Sequence, residues 1–105
     1  MSTGNVSATR PKAIATEFIN DDRCIVTEWR FAPGAETGWH RHAHDYVVVP
    51  MTTGELLLEE PGGVSRRVGL TAGRPYARSE GVEHNVVNPS ASEFCFIEIE
   101  MKRNG

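Results

Sequence analysis

Three histidines alternate along one short segment of this chain. His40, His42 and His44 lie within residues 38–49, which continue into an apolar, β-branched run, and the fourth histidine is His84. Residues two apart in a strand face the same side, with Cα atoms about 6.6 Å apart. Imidazoles at that spacing can bind one metal ion at about 2.0–2.1 Å. His40, His42 and His84 are therefore candidate ligands of an ion that keeps open positions, as catalytic metal ions do.

The role of His44 depends on whether the strand stays straight. A straight strand would put His44 on the same face as His40 and His42, where it could be a fourth ligand. A bend after His42 would send His44 and Asp45 to the rim, and short polar segments favour such bends. Asp45 could alternatively accept a hydrogen bond from a ligand ring. A metal-free alternative also stays open, in which the histidines are polar barrel residues satisfied by hydrogen bonds.

The rest of the sequence predicts strands rather than helices. Short apolar runs separated by Gly and Pro dominate, and no segment of a dozen residues has convincing helical periodicity. These features predict one all-β domain, a sandwich or barrel, over residues 13–103, with residues 1–12 as a loose N-terminal arm. Residues 73–81 are expected to be mostly loop. The predicted strands besides the histidine segment are Ala13–Asn20, Cys24–Phe31, Tyr46–Met51, Glu55–Glu60, Val64–Thr71, Val82–Val87 and Glu93–Met101.

The last predicted strand bears on assembly. Phe94 and Phe96 lie on one of its faces, and Cys95, Ile97 and Ile99 lie on the other. Apolar residues on both faces predict that both faces are covered. The cover is either a second subunit, which would make the protein a homodimer, or a loop or the N-terminal arm. Both alternatives stay open, and the homodimer is the expectation carried forward.

Composition argues against several classes of function. The net charge is −3, and charges of both signs are mixed along the chain, so nucleic-acid binding is not expected. No apolar stretch reaches the roughly 20 residues of a membrane helix, and the N-terminus lacks the pattern of a signal peptide. We therefore expect a cytoplasmic protein whose partner is a small molecule. Cys24 and Cys95 lie inside predicted strands, which favours buried reduced thiols over a disulfide.

The spacing of histidines and glycines resembles the two motifs of the cupin superfamily. The residues that match the first motif are Gly34, His40, His42 and Gly54. Those that match the second are Gly73, Gly81, His84 and Asn88. The resemblance implies a small, single-domain cupin of the conserved cupin 2 type. Such a domain is a jelly-roll barrel, or double-stranded β-helix, with its ligands inside.

The chain departs from the cupin pattern at two positions. Ser79 replaces the motif Pro, which should change only a turn. The motif Glu falls on Val47, or on Tyr46 with the shorter spacing. Val47 cannot bind a metal, and Tyr46 suits a pocket wall better than a ligand position. The remaining pattern resembles the three-histidine cupins, among them the thiol dioxygenases, and a site without the carboxylate carries about +2, which favours an anionic substrate.

The resemblance implies a metal-dependent enzyme, dioxygenase-like, that acts on a small anionic molecule. Its divalent ion would be Fe, Zn, Ni or Mn, all of which accept imidazole ligands. Tyr46 is the candidate catalytic residue, and the candidates for contacting the substrate or supporting the ligands are His44, Asp45, Arg74 and Arg78. One alternative is a non-catalytic barrel that binds a small ligand as a sensor or storage protein. Another is an isomerase or cyclase, since the fold alone does not choose among them.

Overall fold

The computed structural model describes residues 9–103. Within them the chain forms nine strands and one 3-10 turn, so the all-β prediction is confirmed. The strands are β1 (Ile14–Asn20), β2 (Cys24–Phe31), β3 (His40–Arg41), β4 (Asp45–Pro50), β5 (Gly54–Glu60), β6 (Val64–Leu70), β7 (Tyr76–Arg78), β8 (Glu83–Val87) and β9 (Phe94–Met101), with the 3-10 turn at Pro61–Gly63.

The strands form two antiparallel sheets that share one core. The first sheet has the order β1-β2-β9-β4-β7, and the second has the order β3-β8-β5-β6. Segments distant in the chain therefore pair, as in a jelly roll whose strands cross between two sheets. Both sheets contribute to the core, which consists of Phe31, Ala35, Tyr46, Val48, Leu56, Leu58, Val86, Phe94 and Phe96.

Strand β9 is covered on both faces over its first half. Phe94, Cys95 and Phe96 are 3%, 4% and 5% exposed, although neighbouring residues in a strand point to opposite sides. Phe94 and Phe96 belong to the core between the sheets. Ile97 and Ile99, on the other face, are only half-buried.

One strand falls where the sequence predicted mostly loop. β7 is three residues long and pairs with β4, with Arg78 opposite Tyr46 and Tyr76 opposite Val48. Its sequence carried no signal, because a strand this short shows no period and lies among Gly and Pro residues. The pairing matters for function, since it brings Arg78 next to the core residue Tyr46.

Two of the motif glycines are required by the backbone. Gly34 has a φ of +78°, a conformation that side chains other than glycine rarely adopt. At Gly54, a Cβ would lie 3.2 Å from Phe94 Cδ2, so the close approach of β5 to that ring needs the missing side chain. These positions shape the barrel and carry no chemistry of their own.

The motif asparagine is also structural. Asn88 is fully buried, and its amide donates hydrogen bonds to the carbonyl oxygens of Phe31, Ala32 and Ser92 at 2.8–3.3 Å. Its side-chain oxygen accepts hydrogen bonds from the backbone and the hydroxyl of Ser90. One side chain thus ties the end of β2 to the turn before β9.

The last residues of the predicted N-terminal arm contact the barrel. Lys12 forms a bridge with Glu36, and the Ala13 amide donates to the Glu36 carbonyl at 2.8 Å. The Glu36 amide donates in turn to the Pro11 carbonyl at 3.0 Å. Residues 1–8 of the arm lie outside the described residues.

Two smaller expectations can be compared with the structure. Cys24 and Cys95 are both free thiols, Cys95 buried and Cys24 half-buried. Among residues 9–103, no helix is long and apolar enough to cross a membrane.

Replacing Asn88 by Ala should lower the free energy of unfolding by about 3 kcal/mol, because it removes five hydrogen bonds made by a fully buried side chain. Urea unfolding followed by circular dichroism measures this change. Asn20→Ala is the control, since Asn20 is exposed and its hydrogen bonds are made in solvent. That variant should lose less than about 0.5 kcal/mol, and equal losses in the two variants would refute the structural role of Asn88.

Candidate metal centre

The three motif histidines converge because two strands pair in a fixed register. His40 on β3 lies directly opposite His84 on β8. The ladder continues beyond β3, since the His42 amide donates to the Val82 carbonyl at 2.9 Å and the Gly81 amide donates to the His42 carbonyl at 2.8 Å. Backbone hydrogen bonds therefore fix all three rings on the inner side of one sheet edge.

The ring nitrogens are spaced as ligands of one ion. His42 Nε2 lies 3.0 Å from His40 Nε2 and 3.2 Å from His84 Nε2. Two nitrogens that bind one ion at about 2.1 Å lie about 3.0 Å apart at a right angle and about 3.4 Å apart in a tetrahedron. The two observed distances fall within this range, and an ion held by three nitrogens would keep positions for other ligands. The donor set therefore fits a divalent metal ion.

Two of the rings, those of His42 and His84, are held in the neutral form that binds a metal. Burial, with the neighbouring histidines, lowers the pKa of His42 to about 3 and that of His84 to about 4. The Nδ1 atom of His40 lies 2.9 Å from the Gly38 carbonyl oxygen, to which it donates, so its Nε2 lone pair is free. The Nδ1 atom of His84 is buried and has no partner among the described residues.

A buried asparagine positions the loop that carries His40. Asn85 is 2% exposed, and its side-chain oxygen accepts a hydrogen bond from the Gly38 amide at 2.8 Å. The same oxygen lies 3.4 Å from the Thr37 hydroxyl. The carbonyl oxygen of Gly38 in turn accepts the hydrogen bond from His40 Nδ1. Asn85 therefore acts on a ligand through the loop and does not contact the ion itself.

The asparagine is itself held by a cluster of charges. Its amide donates to Glu36 at 2.8 Å and to Glu59 at 2.9 Å. Arg10 binds the two oxygens of Glu59 at 3.1 Å each and also reaches Glu36 at 3.2 Å. Because this arrangement is bidentate, it fixes direction as well as charge. The hydrogen bond from Arg10 lowers the pKa of Glu59, which keeps that carboxylate ionised.

Tyr46 forms one wall of the centre. Its ring stacks on the His42 ring, with centroids 3.8 Å apart and planes 17° apart. Its hydroxyl is buried and has no hydrogen-bond partner among the described residues. Burial raises the pKa of Tyr46, so the group is a neutral hydroxyl and a poor metal ligand. It can instead donate a hydrogen bond to a bound molecule.

A small cavity opens beside the histidines. It is lined by Trp29, Thr37, His40, Tyr46, Val48, Leu56, Leu58, Tyr76, Arg78, His84, Val86, Phe96 and Glu98, and about 20 Å³ of it is open to the centre of a water molecule. That is room for one or two waters. Leu58, Tyr76 and Arg78 also line a wider outer cleft of about 340 Å³, so the cavity and the cleft meet at these residues.

Two known proteins are similar to this chain over most of its length. The beta-alanine degradation protein BauB of Pseudomonas aeruginosa is 60% identical over 93 residues, which are 89% of this chain and 97% of that protein. The crystal structure of a cupin domain from Bordetella pertussis Tohama I is 64% identical, with a TM-score of 0.88 over 90% of this chain and 98% of that one. This chain belongs to the cupin superfamily.

More distant structures agree on the fold. An RmlC-like cupin with a double-stranded β-helix fold from Methanocaldococcus jannaschii has a TM-score of 0.72 at 11% identity, over 87% of this chain and 81% of that one. At that identity it shows the cupin fold alone. No family model matches the chain.

The structure brings only some of the candidate residues of this cupin together. Tyr46 and Arg78 line the cavity with His40 and His84, whereas Arg74 is exposed and is not among the lining residues. The chain bends at residues 43–44, so His44 leaves the face of the ligands. Asp45 accepts a hydrogen bond from the Glu80 amide at 2.8 Å and pairs with Arg103, so it supports the rim and caps no ligand ring.

Sequence reasoning missed two carboxylates beside the centre. Glu98 Oε2 lies 4.0 Å from His42 Nε2, and Glu100 Oε2 lies 3.9 Å from His42 Nδ1. Together with His42 they form a second group that could hold a metal ion. Burial, with the nearby Glu100, raises the pKa of Glu98 to about 7. The signal was present in β9, where strict alternation after Phe94 and Phe96 puts both carboxylates on the inner face.

These carboxylates correct the charge count made from the sequence. The motif carboxylate is absent, since Val47 and Tyr46 occupy its two possible positions, but β9 brings two carboxyl groups beside His42. A divalent ion on the three neutral histidines would therefore not face an uncompensated charge of +2. A preference for an anionic substrate would therefore require a positively charged group other than the metal ion.

We expect Asn85→Ala to weaken metal binding by about tenfold to a hundredfold, because the loop that carries His40 loses its anchor. The dissociation constant for Zn²⁺, measured by competition with a chelating dye, reports this. Asn88→Ala is a matched control, since Asn88 is an equally buried asparagine that contacts no part of the centre. Unchanged affinity in Asn85→Ala, or an equal loss in both variants, would contradict the positioning role.

Proposed function

We propose that this cupin is a metal-dependent enzyme that acts on a small organic anion. The observation that carries the proposal is the pairing of two features in one cavity. Three histidine nitrogens converge beside it, two of them from lining residues, and the wall includes an arginine whose guanidinium has no partner among residues 9–103. A site for a metal ion and a site for an anion thus lie within reach of the same small molecule.

The histidines supply what a catalytic ion requires. Burial keeps His42 and His84 neutral, and the three rings would hold an ion from one side and leave its other side open to further ligands. Imidazole ligands suit Fe, Zn, Ni and, less well, Mn. When bound, such an ion would supply Lewis-acid chemistry or, for iron, dioxygenase chemistry.

Arg78 is the group that would select an anion. It is half-buried on β7, it lines both the cavity and the outer cleft, and its guanidinium forms no hydrogen bond or ion pair with the side chain or backbone of any of residues 9–103. A guanidinium presents a planar fork of donors that matches a carboxylate. Tyr46, its neighbour across the β4–β7 pair, offers a second unpaired donor. Together the two side chains can hold and orient a substrate carboxylate.

The relative in Pseudomonas aeruginosa supports a small carboxylate as the substrate. Its name assigns that protein to beta-alanine degradation. Short carboxylic acids arise whenever a short amino acid is broken down. We therefore infer that the substrate of this cupin is a short carboxylic acid of that kind, bound through Arg78.

The second candidate function is a binding module without catalysis. The small volume beside the histidines favours it, since only one or two water molecules fit there before the cavity widens into the cleft. Such a module would bind the same anion and leave it unchanged. Incubating the metal-loaded protein with candidate acids and following them by NMR separates the two functions. The same experiment would detect an isomerase or cyclase, because its isomeric product gives a different NMR spectrum.

The homodimer and the cytoplasmic location stay predictions. Exposed apolar residues on the edge strand β1 support the homodimer, namely Ile14, Phe18 and Ile19, which are 64%, 56% and 46% exposed. Light scattering on purified protein at micromolar concentration measures the mass directly. A mass of one subunit would contradict the homodimer.

The protein, purified without an affinity tag, should contain about one divalent ion per subunit. His42→Ala should lose it, because removing one of three neutral ligands leaves only two. Elemental analysis measures the content and identifies the ion. His44→Ala is the control, since His44 lies off the ligand face, and it should keep the metal. A wild-type protein that stays metal-free after anaerobic incubation with iron or zinc would refute the proposed enzyme.

Arg78→Met should weaken the binding of short carboxylates at least tenfold, because each lost charge-assisted hydrogen bond contributes about 1.5–3 kcal/mol. Isothermal titration of the Zn²⁺-loaded protein with propionate measures this. Arg74→Met removes an equal charge from an exposed position outside the cavity and should change the affinity less than about twofold. Equal effects of the two substitutions would show that only the overall charge matters.

A further inference from the structure

We propose that Glu98 is a substrate-binding residue of this cupin. Its carboxylate accepts a hydrogen bond from a hydroxyl or similar donor on a short carboxylic acid whose carboxylate is bound by Arg78. The substrate class is thereby narrowed to acids that carry a second, donating group. This inference rests on the proposed function, since it assumes that Arg78 binds an anion in the cavity.

Arg78 and Glu98 lie on β7 and β9, the two strands that flank β4 in the sheet. Arg78 lies opposite Tyr46, and Tyr46 lies opposite Glu100. Glu98 lies on β9 two residues before Glu100 and is opposite Val48 of β4. With strands about 4.8 Å apart and rows about 6.8 Å apart, the Cα atoms of Arg78 and Glu98 are roughly 12 Å apart. Both side chains line the cavity between them.

Arg78 and Glu98 do not form an ion pair with each other. Glu98 is 8% exposed, yet no Lys or Arg among the described residues pairs with it. Its contacts are a hydrogen bond with the Trp29 side chain and the ring of His42 at 4.0 Å. A buried carboxylate with four acceptor positions and so few donors is costly unless another donor arrives. The cavity is where that donor can come from.

The position of Glu98 argues for a contact with substrate more than for a bond to the metal. It belongs to the group with His42 and Glu100 and not to the group of three histidines. At 4.0 Å from His42 Nε2, it stands beside the ligand set on the cavity side. A molecule bound by the open side of the histidines would therefore present its polar atoms to Glu98.

The charges of the cavity favour a neutral donor on the substrate. A divalent ion and the Arg78 guanidinium would both repel an ammonium group, which offsets the attraction of that group to Glu98. A hydroxyl, or the hydrate of a carbonyl, can donate to Glu98 without adding charge. The ligand class is thus a short hydroxy acid, or an oxo acid that binds as its hydrate.

Two acids of equal size test the idea. 3-Hydroxypropionate and butyrate differ only in a hydroxyl against a methyl group, so the ratio of their dissociation constants isolates the donor. Isothermal titration of the Zn²⁺-loaded protein should give about tenfold tighter binding of 3-hydroxypropionate. Glu98→Met should bring the ratio to about one while the affinity for butyrate changes less than threefold. If that variant does not fold, Glu98→Gln, which keeps the shape, should lower the ratio at least threefold.

Arg78→Met separates this inference from the proposed function. It should weaken both acids alike and leave their ratio near ten, because it removes the carboxylate contact only. A wild-type ratio near one, or a ratio unchanged in both Glu98 variants, would overturn the role of Glu98 and leave the anion site intact. Failure of the Zn²⁺-loaded wild type to bind either acid would instead overturn the proposed function, and this inference with it.

Discussion

The pairing of β3 with β8 is the constraint on which the rest of the centre depends. A two-residue strand has little stability of its own, yet its register puts His40 directly opposite His84. A shift of one residue would turn the His40 ring to the other face of the sheet. The loop before β3 is therefore tied at Gly38 by the buried side chain of Asn85. Arg10, close to the start of the described chain, completes this anchoring through two carboxylates.

Burial then sets the chemistry of the rings that this register brings together. The barrel excludes water from His42 and His84 and holds their pKa values far below 6.5, so both carry free lone pairs at neutral pH. The same exclusion of water makes every other charge in the cavity count for more. The site is thus a balance of neutral ligands, one unpaired cation in Arg78, and the carboxylates of β9.

Spacing made the convergence of the candidate ligands and the fold predictable, because it follows directly from strand geometry. His40 and His42 share a face by the period of two, and the bend at residues 43–44 follows from a short polar segment. Arg78 was predicted as a substrate contact from its position shortly before His84 in the sequence, although the strand that places it, β7, was not predicted. What the sequence could not show was contact between distant segments. Arg10 meets Glu59 across 49 positions, and no local pattern marks such a pair.

Glu98 shows that a missing motif carboxylate does not mean that the site lacks a carboxylate. The motif assigns its carboxylate to the position of Val47 on β4, and its absence suggests a centre with no acid. β9 pairs with β4 in the register that sets Ile99 opposite Val47 and Glu98 opposite Val48. Because alternate residues point inward, the buried Val48 and Glu98 face the cavity, whereas Val47 is only half-buried. An acid thus lies beside the histidines on β9, although neither Val47 nor Tyr46, the two possible motif positions, supplies one. There it can act on a bound molecule in a way that a carboxylate bound to the ion could not.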